Sequence, residues 1–247
     1  MLMLINIPVL WQYLALLALV LLALLLDMFR CALAHRSLRS FWTDEHPLLF
    51  FKDSERHRKI GLFFLYSAII LYIIKTMMRA CTLRYADWTG TPEQLDTFVE
   101  SFYDVALILT LIRFFLFTRF SWKQLFGASL FLMPFFLSHI ITQDPSYFLE
   151  FLLILSVKGE DLRRMLKIFL STLLAGTLCI FALYFSGLLP VDSTAGALVA
   201  ESRHRFALGF IHPNILSLYI AALNWGWLLL RWHKIRWWDW VAIAALN

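Results

Sequence analysis

Long apolar runs separated by short polar connections occupy most of this chain. The runs cover residues 7–26, 60–78, 102–117, 124–142, 146–157, 166–186 and 210–230, and an eighth begins at Trp237 and stops with the chain. Most approach the roughly 20 residues that a helix needs to cross the hydrocarbon core of a bilayer. None shows the two-residue alternation of barrel strands, so helices are the expected element. The pattern predicts an all-α, polytopic membrane protein with about seven transmembrane helices and a truncated eighth.

Composition agrees with this pattern. Of the 247 residues, 61% are hydrophobic and 16% are charged, whereas a soluble domain is about 45–50% apolar and about 25% charged. The excess of apolar side chains has to face lipid, and no polar stretch is long enough to fold into a soluble catalytic domain. We therefore expect residues 1–247 to form a single integral-membrane domain, incomplete at its C-terminus and surrounded by membrane lipids.

Basic residues in the connections predict the orientation. Of the 22 Lys and Arg residues, sixteen fall in alternate connections, those after the first, third, fifth and seventh apolar runs. By the positive-inside rule these connections are cytoplasmic and the N-terminus is external, which indicates a multi-pass protein of the cell membrane. The net charge of +5 then reports topology and indicates no nucleic-acid partner.

Several charged side chains lie inside or beside the apolar runs. Lys75 and Arg113 are within a few turns of run ends, so we expect both to snorkel to the interface. Glu100 and Asp104 stand one helical turn apart, where like charges repel. They form either a proton-handling site or a water-facing pair at the headgroup level. The fifth run has only twelve residues, and the basic connection after it favours a short, thinned crossing with Lys158 snorkelling.

The strongest functional signal is the polar segment of residues 203–214, at the start of the seventh apolar run. Arg203 and Arg205 lie on the predicted external side, where basic residues are few. Arginine matches phosphate oxygens and stays charged, so the pair could clamp a diphosphate carried on a membrane-embedded lipid. His212 lies within two turns and could act as a general acid or base, or as a neutral hydrogen-bonding partner.

Three further residues shape this segment. Pro213 removes a backbone N–H and disfavours helix at His212, so we expect the chain to bend or the helix to begin here. Asn214 could cap that helix or present its amide to a ligand. Gly209 permits a positive φ or a close approach of the backbone. Together they predict a polar notch at the membrane boundary; the alternative is a capped helix start whose arginines contact lipid headgroups.

The sequence carries no motif for a metal or a nucleotide. It lacks a GxxxxGK[ST] phosphate loop, an HExxH motif, a GxSxG nucleophile elbow and an Asp-x-Asp pair. Cys31, Cys81 and Cys179 are far apart and form no CxxC pair. We therefore expect no bound metal and no cofactor.

A ten-residue signature stands in the same segment. The stretch Arg205-Phe206-Ala207-Leu208-Gly209-Phe210-Ile211-His212-Pro213-Asn214 resembles the R-x-x-L-G-F-x-H-P-N pattern of polysaccharide polymerases from Gram-positive surface-polysaccharide clusters. Looser similarity extends over residues 148–230, where a short span, a basic turn, a long span and a polar loop follow one another. The chain thus resembles the superfamily of O-antigen ligases and oligosaccharide repeat-unit polymerases. The larger external loop in the second half of that family has no counterpart in these 247 residues.

This resemblance implies a glycosyltransferase that works at the outer face of the membrane. An oligosaccharide on polyprenyl diphosphate would be transferred, with inversion, to a hydroxyl of an acceptor sugar, and polyprenyl diphosphate would leave without help from a metal. The residues implied to act are Arg205 and His212 in catalysis, and Arg203, Gly209, Pro213 and Asn214 in substrate binding. The implied partners are the polyprenyl-diphosphate-linked oligosaccharide and other membrane proteins of polysaccharide assembly.

Two other functions stay open at this point. A non-enzymatic transporter or flippase of lipid-linked oligosaccharide could use the same arginines for binding. The membrane sensor portion of a signalling protein would have similar spans. Inverted-repeat symmetry would favour the transporter, continuation into a cytoplasmic kinase domain would favour the sensor, and continuation into a large external loop would favour the polymerase.

Overall fold

The computed structural model describes residues 7–34, 37–47, 55–86, 89–128, 130, 134, 146–189 and 207–246, and these are mostly helical. The helices are α1 (Ile7–Leu33), α2 (Leu38–Thr43), α3 (Glu55–Ala80), α4 (Pro92–Ile112), α5 (residues 122–128), α6 (Ser146–Ser156), α7 (Leu162–Phe185), α8 (Pro213–Arg231) and α9 (Trp237–Leu246). A π-helical turn continues α4 over Arg113–Phe117, and 3₁₀ turns occupy Thr82–Tyr85 and Trp232–Lys234. The predicted helical class is confirmed for this part of the chain.

Within the residues that the structure describes, three helical segments are long and apolar enough to cross a membrane. They are Glu55–Ala80, Leu162–Phe185 and Pro213–Lys234, which coincide with the predicted runs at 60–78, 166–186 and 210–230. The predicted short fifth run forms α6, and the runs at 7–26 and 102–117 lie in α1 and in α4 with its π-helical turn. Most of the run at 124–142 lies outside the described residues. Three candidate spans of the expected seven are thus present in the described part.

The chain divides into two compact units. Unit 1 comprises Met1–Leu65 and Leu107–Glu160, and unit 2 comprises Tyr66–Ala106 and Asp161–Asn247. Helices α3 and α4 each contribute one part to unit 1 and the other part to unit 2.

Unit 1 is built around an aromatic cluster, whose buried members are Ala23, Phe41, Phe114, Phe115, Phe120 and Trp122. Phe41 and Trp122 stack with their ring centroids 6.1 Å apart. The indole Nε1 of Trp122 donates to Oδ2 of the buried Asp27 at 2.9 Å, which satisfies a ring N–H that burial would otherwise leave without water. Next to this cluster, strand β1 (His46–Pro47) pairs antiparallel with β2 (Arg119–Phe120). The α2–α3 and α4–α5 connections therefore lie together.

A buried ion pair links the α6–α7 connection to the π-helical turn in unit 1. Arg113 is 3% exposed, and its Nη2 donates to Oε1 of Glu160 at 2.6 Å. Its Nε donates to the carbonyl oxygen of Ser156 at 3.4 Å. The expectation that Arg113 snorkels is therefore wrong, because its charge is neutralised by Glu160 inside the protein and has no need to reach water.

Lys158 holds three connections of unit 1 together. Its Nζ donates to Oε1 of Glu45 at 2.8 Å, to the carbonyl oxygen of Arg119 at 2.8 Å and to Oε1 of Gln124 at 2.5 Å. These partners use all three ammonium protons. The hydrogen bonds from Lys158 and, secondarily, Gln124 lower the pKa of the Glu45 carboxyl. Lys158 was expected to snorkel to the membrane interface. In the structure its partly exposed ammonium instead joins the α6–α7 connection to the α2–α3 and α4–α5 connections.

Unit 2 packs α7 against α8 and keeps a lysine inside. Gly226 of α8 lies directly against the side chain of Leu170 of α7. Lys75 of α3 is 2% exposed, and its Nζ lies 5.2 Å from the ring centroid of Tyr103 in α4. The snorkelling expected for Lys75 is therefore wrong as well, since the ammonium is buried against an aromatic face.

Candidate functional site

The signature segment forms a tight turn just before α8. The N–H of Phe210 donates to the carbonyl oxygen of Ala207 at 2.9 Å, and the two residues between them, Leu208 and Gly209, have φ of 48° and 89°. Positive φ at both central positions is the pattern of a type I′ turn. A left-handed conformation costs a non-glycine residue such as Leu208 about 1–2 kcal/mol. Strain of this kind persists only where neighbouring structure imposes it, and it concentrates at functional sites.

Backbone hydrogen bonds attach this turn to the end of α3. The carbonyl oxygen of Gly209 accepts from the Thr82 N–H at 2.8 Å and from the Thr82 hydroxyl at 3.3 Å. The N–H of Ile211 donates to the carbonyl oxygen of Ala80, the last residue of α3, at 2.9 Å. Between these two contacts Cys81 and Phe210 form an antiparallel bridge. The turn is therefore attached to the end of α3 on both sides of Phe210, directly after its left-handed residues.

Packing against the end of α7 also requires a glycine in the turn. A Cβ on Gly209 would lie 3.1 Å from side-chain atoms of Ile180, Tyr184 and Leu189, closer than ordinary van der Waals contact. The next residue, Phe210, is 1% exposed. Both predicted properties of Gly209, the positive φ and the close approach, are confirmed.

Helix α8 begins at Pro213, as the sequence predicted, and His212 is its N-cap. The ring Nδ1 of His212 accepts a hydrogen bond from the Asn214 N–H at 3.1 Å. The His212 carbonyl oxygen accepts from the N–H of Ile215 at 3.0 Å and of Leu216 at 3.4 Å. Asn214 was expected either to cap α8 or to present its amide to a ligand. His212 is the cap, and Asn214 lies exposed in the first turn of the helix.

The structure brings four of the six predicted site residues together. Gly209 anchors the turn, His212 caps α8, and Pro213 and Asn214 follow as the first residues of that helix. Arg203 and Arg205, the predicted diphosphate ligands, lie outside the described residues.

Two observations bear on whether a proton-handling pair or a metal site is present. Arg79 of α3 forms an ion pair with Glu100 of α4, which weakens the repulsion between Glu100 and Asp104. Asp104 itself is exposed. A water-facing arrangement is therefore favoured over a proton-handling pair. In the part of the chain that the structure describes, no cluster of three or more His, Cys, Asp and Glu residues could hold a metal ion.

No sequence pattern marked the residues that hold the turn in place. Ala80 and Thr82 act mainly through backbone groups, and every residue type except proline offers the same donor and acceptor. The left-handed Leu208 was equally hidden, because leucine carries no preference for that conformation.

Comparison with protein-family models, with curated proteins and with solved structures found no match to this chain.

Proposed function

We propose that the protein is a membrane glycosyltransferase that polymerises polyprenyl-diphosphate-linked oligosaccharide repeat units into a surface polysaccharide at the external membrane face. The observation that carries this proposal is the anchored turn of the R-x-x-L-G-F-x-H-P-N segment. A strained Leu208-Gly209 pair, tied to the end of α3 and packed against α7, holds His212, Pro213 and Asn214 at the mouth of an apolar helix. A lipid headgroup would meet the protein at such a place.

The proposed topology is multi-pass, with seven spans and an external N-terminus. This topology is supported in unit 1, where three connections predicted to be cytoplasmic contact one another through the β1–β2 pair and Lys158. It is supported in unit 2 as well, where the ends of α3 and α7 and the start of α8, all predicted to be external, meet at Gly209.

The proposed reaction joins an acceptor hydroxyl oxygen to the anomeric carbon of the lipid-linked oligosaccharide. The bond between that carbon and the diphosphate oxygen breaks as the new glycosidic bond forms, so the anomeric configuration inverts, and the proton of the hydroxyl passes to water at the external face. Arg205, with Arg203 beside it, would stabilise the negative charge that develops on the leaving polyprenyl diphosphate. Two guanidinium groups could do this without a metal. His212 and Asn214 would line the same pocket.

Arg205→Ala tests this function in cells that make the polymer. We expect loss of long polymer and accumulation of single repeat units, measured as the ladder on a polysaccharide gel at equal membrane abundance of the protein. The matched control is Arg163→Ala, an exposed arginine in the first turn of α7, which should leave the ladder unchanged. A normal ladder from Arg205→Ala cells would contradict the proposal.

One observation favours a transporter as the second candidate function. Lys75 is buried in a candidate membrane span, and ionisable residues inside spans often mark substrate or ion pathways. The same cells separate the two functions. Loss of a polymerase leaves single repeat units on the outer surface, whereas loss of a flippase leaves them on the cytoplasmic side.

A further inference from the structure

Two candidate membrane spans of unit 2 end side by side. Gly209, just before α8, packs against Tyr184 at the end of α7. Gly226, near the end of α8, packs against Leu170 in the third turn of α7. The two helices are therefore antiparallel, and α8 ends beside the start of α7. Because both segments are long enough to cross the hydrocarbon core, the corner between α8 and α9 lies at the level of the lipid headgroups.

This corner exposes tryptophans and cations together. Four indole rings are each more than half exposed, and two exposed basic side chains stand between them in the sequence. We call this surface the basic corner, and its members are Trp232, Lys234, Arg236, Trp237, Trp238 and Trp240. Tryptophan is enriched at the headgroup level of a bilayer, since its ring is apolar and its N–H is polar. Rings and cations together fit the boundary between acyl chains and negatively charged headgroups.

The acidic side chain of this region is engaged inside the protein. Asp239 is the only Asp or Glu in residues 202–247, and it is 3% exposed. Its Oδ1 accepts from Nε1 of Trp227 at 2.9 Å and pairs with Nη1 of Arg231 at 3.0 Å. Its Oδ2 accepts from the N–H of Arg236 at 2.7 Å. Asp239 thus ties the start of α9 to the last turns of α8, and the surface of the corner is left with a net positive charge.

We propose that the basic corner binds anionic phospholipids of the membrane, with Lys234 and Arg236 on the phosphate oxygens and the exposed tryptophans along the upper acyl chains. Charge complementarity selects this occupant, because a zwitterionic headgroup carries a cation of its own. The positive-inside rule assigns the corner to the cytoplasmic side, where the leaflet is negatively charged. The inference needs only the spans in α7 and α8 and does not depend on the transfer reaction proposed above.

The charge of the corner is tested with the double variant Lys234→Gln, Arg236→Gln. The full chain, purified in neutral detergent, is titrated separately with phosphatidylglycerol and phosphatidylcholine, and bound lipid is counted by native mass spectrometry. We expect the unaltered chain to bind phosphatidylglycerol more tightly than phosphatidylcholine. The double variant should bind phosphatidylglycerol about 25-fold more weakly, about fivefold for each cation lost, and should bind phosphatidylcholine as before.

The matched control is the double variant Arg56→Gln, Lys59→Gln. It removes the same charge from exposed positions in the first two turns of α3, and it should leave phosphatidylglycerol binding nearly unchanged. Equal weakening by the two double variants would overturn the proposal, because the lipid would then respond only to the net charge of the protein. Equal affinity of the unaltered chain for the two lipids would overturn it as well.

The tryptophans are tested with the double variant Trp237→Ala, Trp238→Ala. It should weaken the binding of both lipids, since the rings contact acyl chains that the two lipids share. The same mass spectra report the oligomeric state. Unchanged lipid binding, together with conversion of a dimer to a monomer, would overturn the proposal and identify the basic corner as an interface between two copies of this chain.

Discussion

The loop junctions of unit 1 and unit 2 are held by different forces. In unit 1 the connections are joined by the short β1–β2 pair and by charged side chains, the Arg113–Glu160 pair and Lys158 with its three acceptors. In unit 2 the turn before α8 is joined to α3 by backbone hydrogen bonds and to α7 by close packing of Gly209. Charged side chains therefore contribute to the unit 1 junction, whereas backbone hydrogen bonds and close packing hold the unit 2 turn.

Under the proposed function, this difference bears on where the lipid-linked substrate would bind. The charged side chains of the unit 1 junction are paired with one another. A buried ion pair of this kind contributes to structure only while both partners remain. In the unit 2 turn, backbone hydrogen bonds hold the structure in place. Its side chains, such as the exposed Asn214, remain available to the proposed ligand. We therefore expect ligand contacts at the unit 2 turn rather than at the charged junction of unit 1.

The largest expected effect comes from breaking the charged junction. Arg113→Ala removes the buried partner of Glu160 and leaves that carboxylate only the exposed Arg58, 3.9 Å away, so it should lower the free energy of unfolding by at most about 3–5 kcal/mol. Denaturant unfolding of the detergent-solubilised protein, followed by circular dichroism, measures this. The control is Lys59→Ala, which removes a pair with Glu55 whose side chains are 73% and 82% exposed, and should change stability by about 0.5 kcal/mol or less. Equal effects of the two substitutions would contradict a structural role for the buried pair.

The next effect comes from the packed glycine of the turn. Gly209→Ala suffers both a left-handed φ, about 1–2 kcal/mol, and overpacking against α7, about 1–3 kcal/mol. Gly187 has a φ of 74° but open space around its Cα, so Gly187→Ala reports the conformational part alone. The same unfolding measurement should show Gly209→Ala as the more destabilising of the two. If the two glycines respond alike, close packing at α7 does not hold the turn.

A smaller effect is expected at the cap of α8. His212→Ala removes the acceptor of the Asn214 N–H and should lower the free energy of unfolding by about 0.5–2 kcal/mol. His212→Asn, which retains a capping oxygen, should recover most of this loss. Failure of asparagine to restore stability beyond the alanine variant would show that His212 does not stabilise α8 as its cap.

The smallest effect belongs to the exposed edge of the charged junction. The pKa of Glu45 is lowered by Lys158, so its contribution is present above the ordinary value of 4.5 and is lost as pH falls through the lowered pKa in the folded protein. Removing the carboxylate by Glu45→Gln should therefore flatten the loss of stability in that acid range. An unchanged pH profile of unfolding would show that this ion pair contributes nothing measurable.

The sequence predicted local features well and non-local ones poorly. Apolar periodicity anticipated α3, α7 and α8, and Pro213 marked where α8 begins, because these signals depend on neighbouring residues. The prediction that Arg113 snorkels was wrong, because its partner Glu160 lies 47 positions away in the sequence. Sequence patterns also missed the bond between Thr82 and Gly209, 127 positions apart, since such contacts arise only when the fold brings distant segments together.

The central claim is that this membrane protein transfers an oligosaccharide from polyprenyl diphosphate to an acceptor sugar. Membranes containing the protein would be given a radiolabelled polyprenyl-diphosphate-linked repeat unit, and both the oligosaccharide length and the released polyprenyl diphosphate would be measured. The account predicts one polyprenyl diphosphate released for each glycosidic bond formed, and loss of both products with Arg205→Ala. Lengthened oligosaccharide at the same rate in membranes carrying Arg205→Ala, or no lengthening with the unaltered protein, would contradict it.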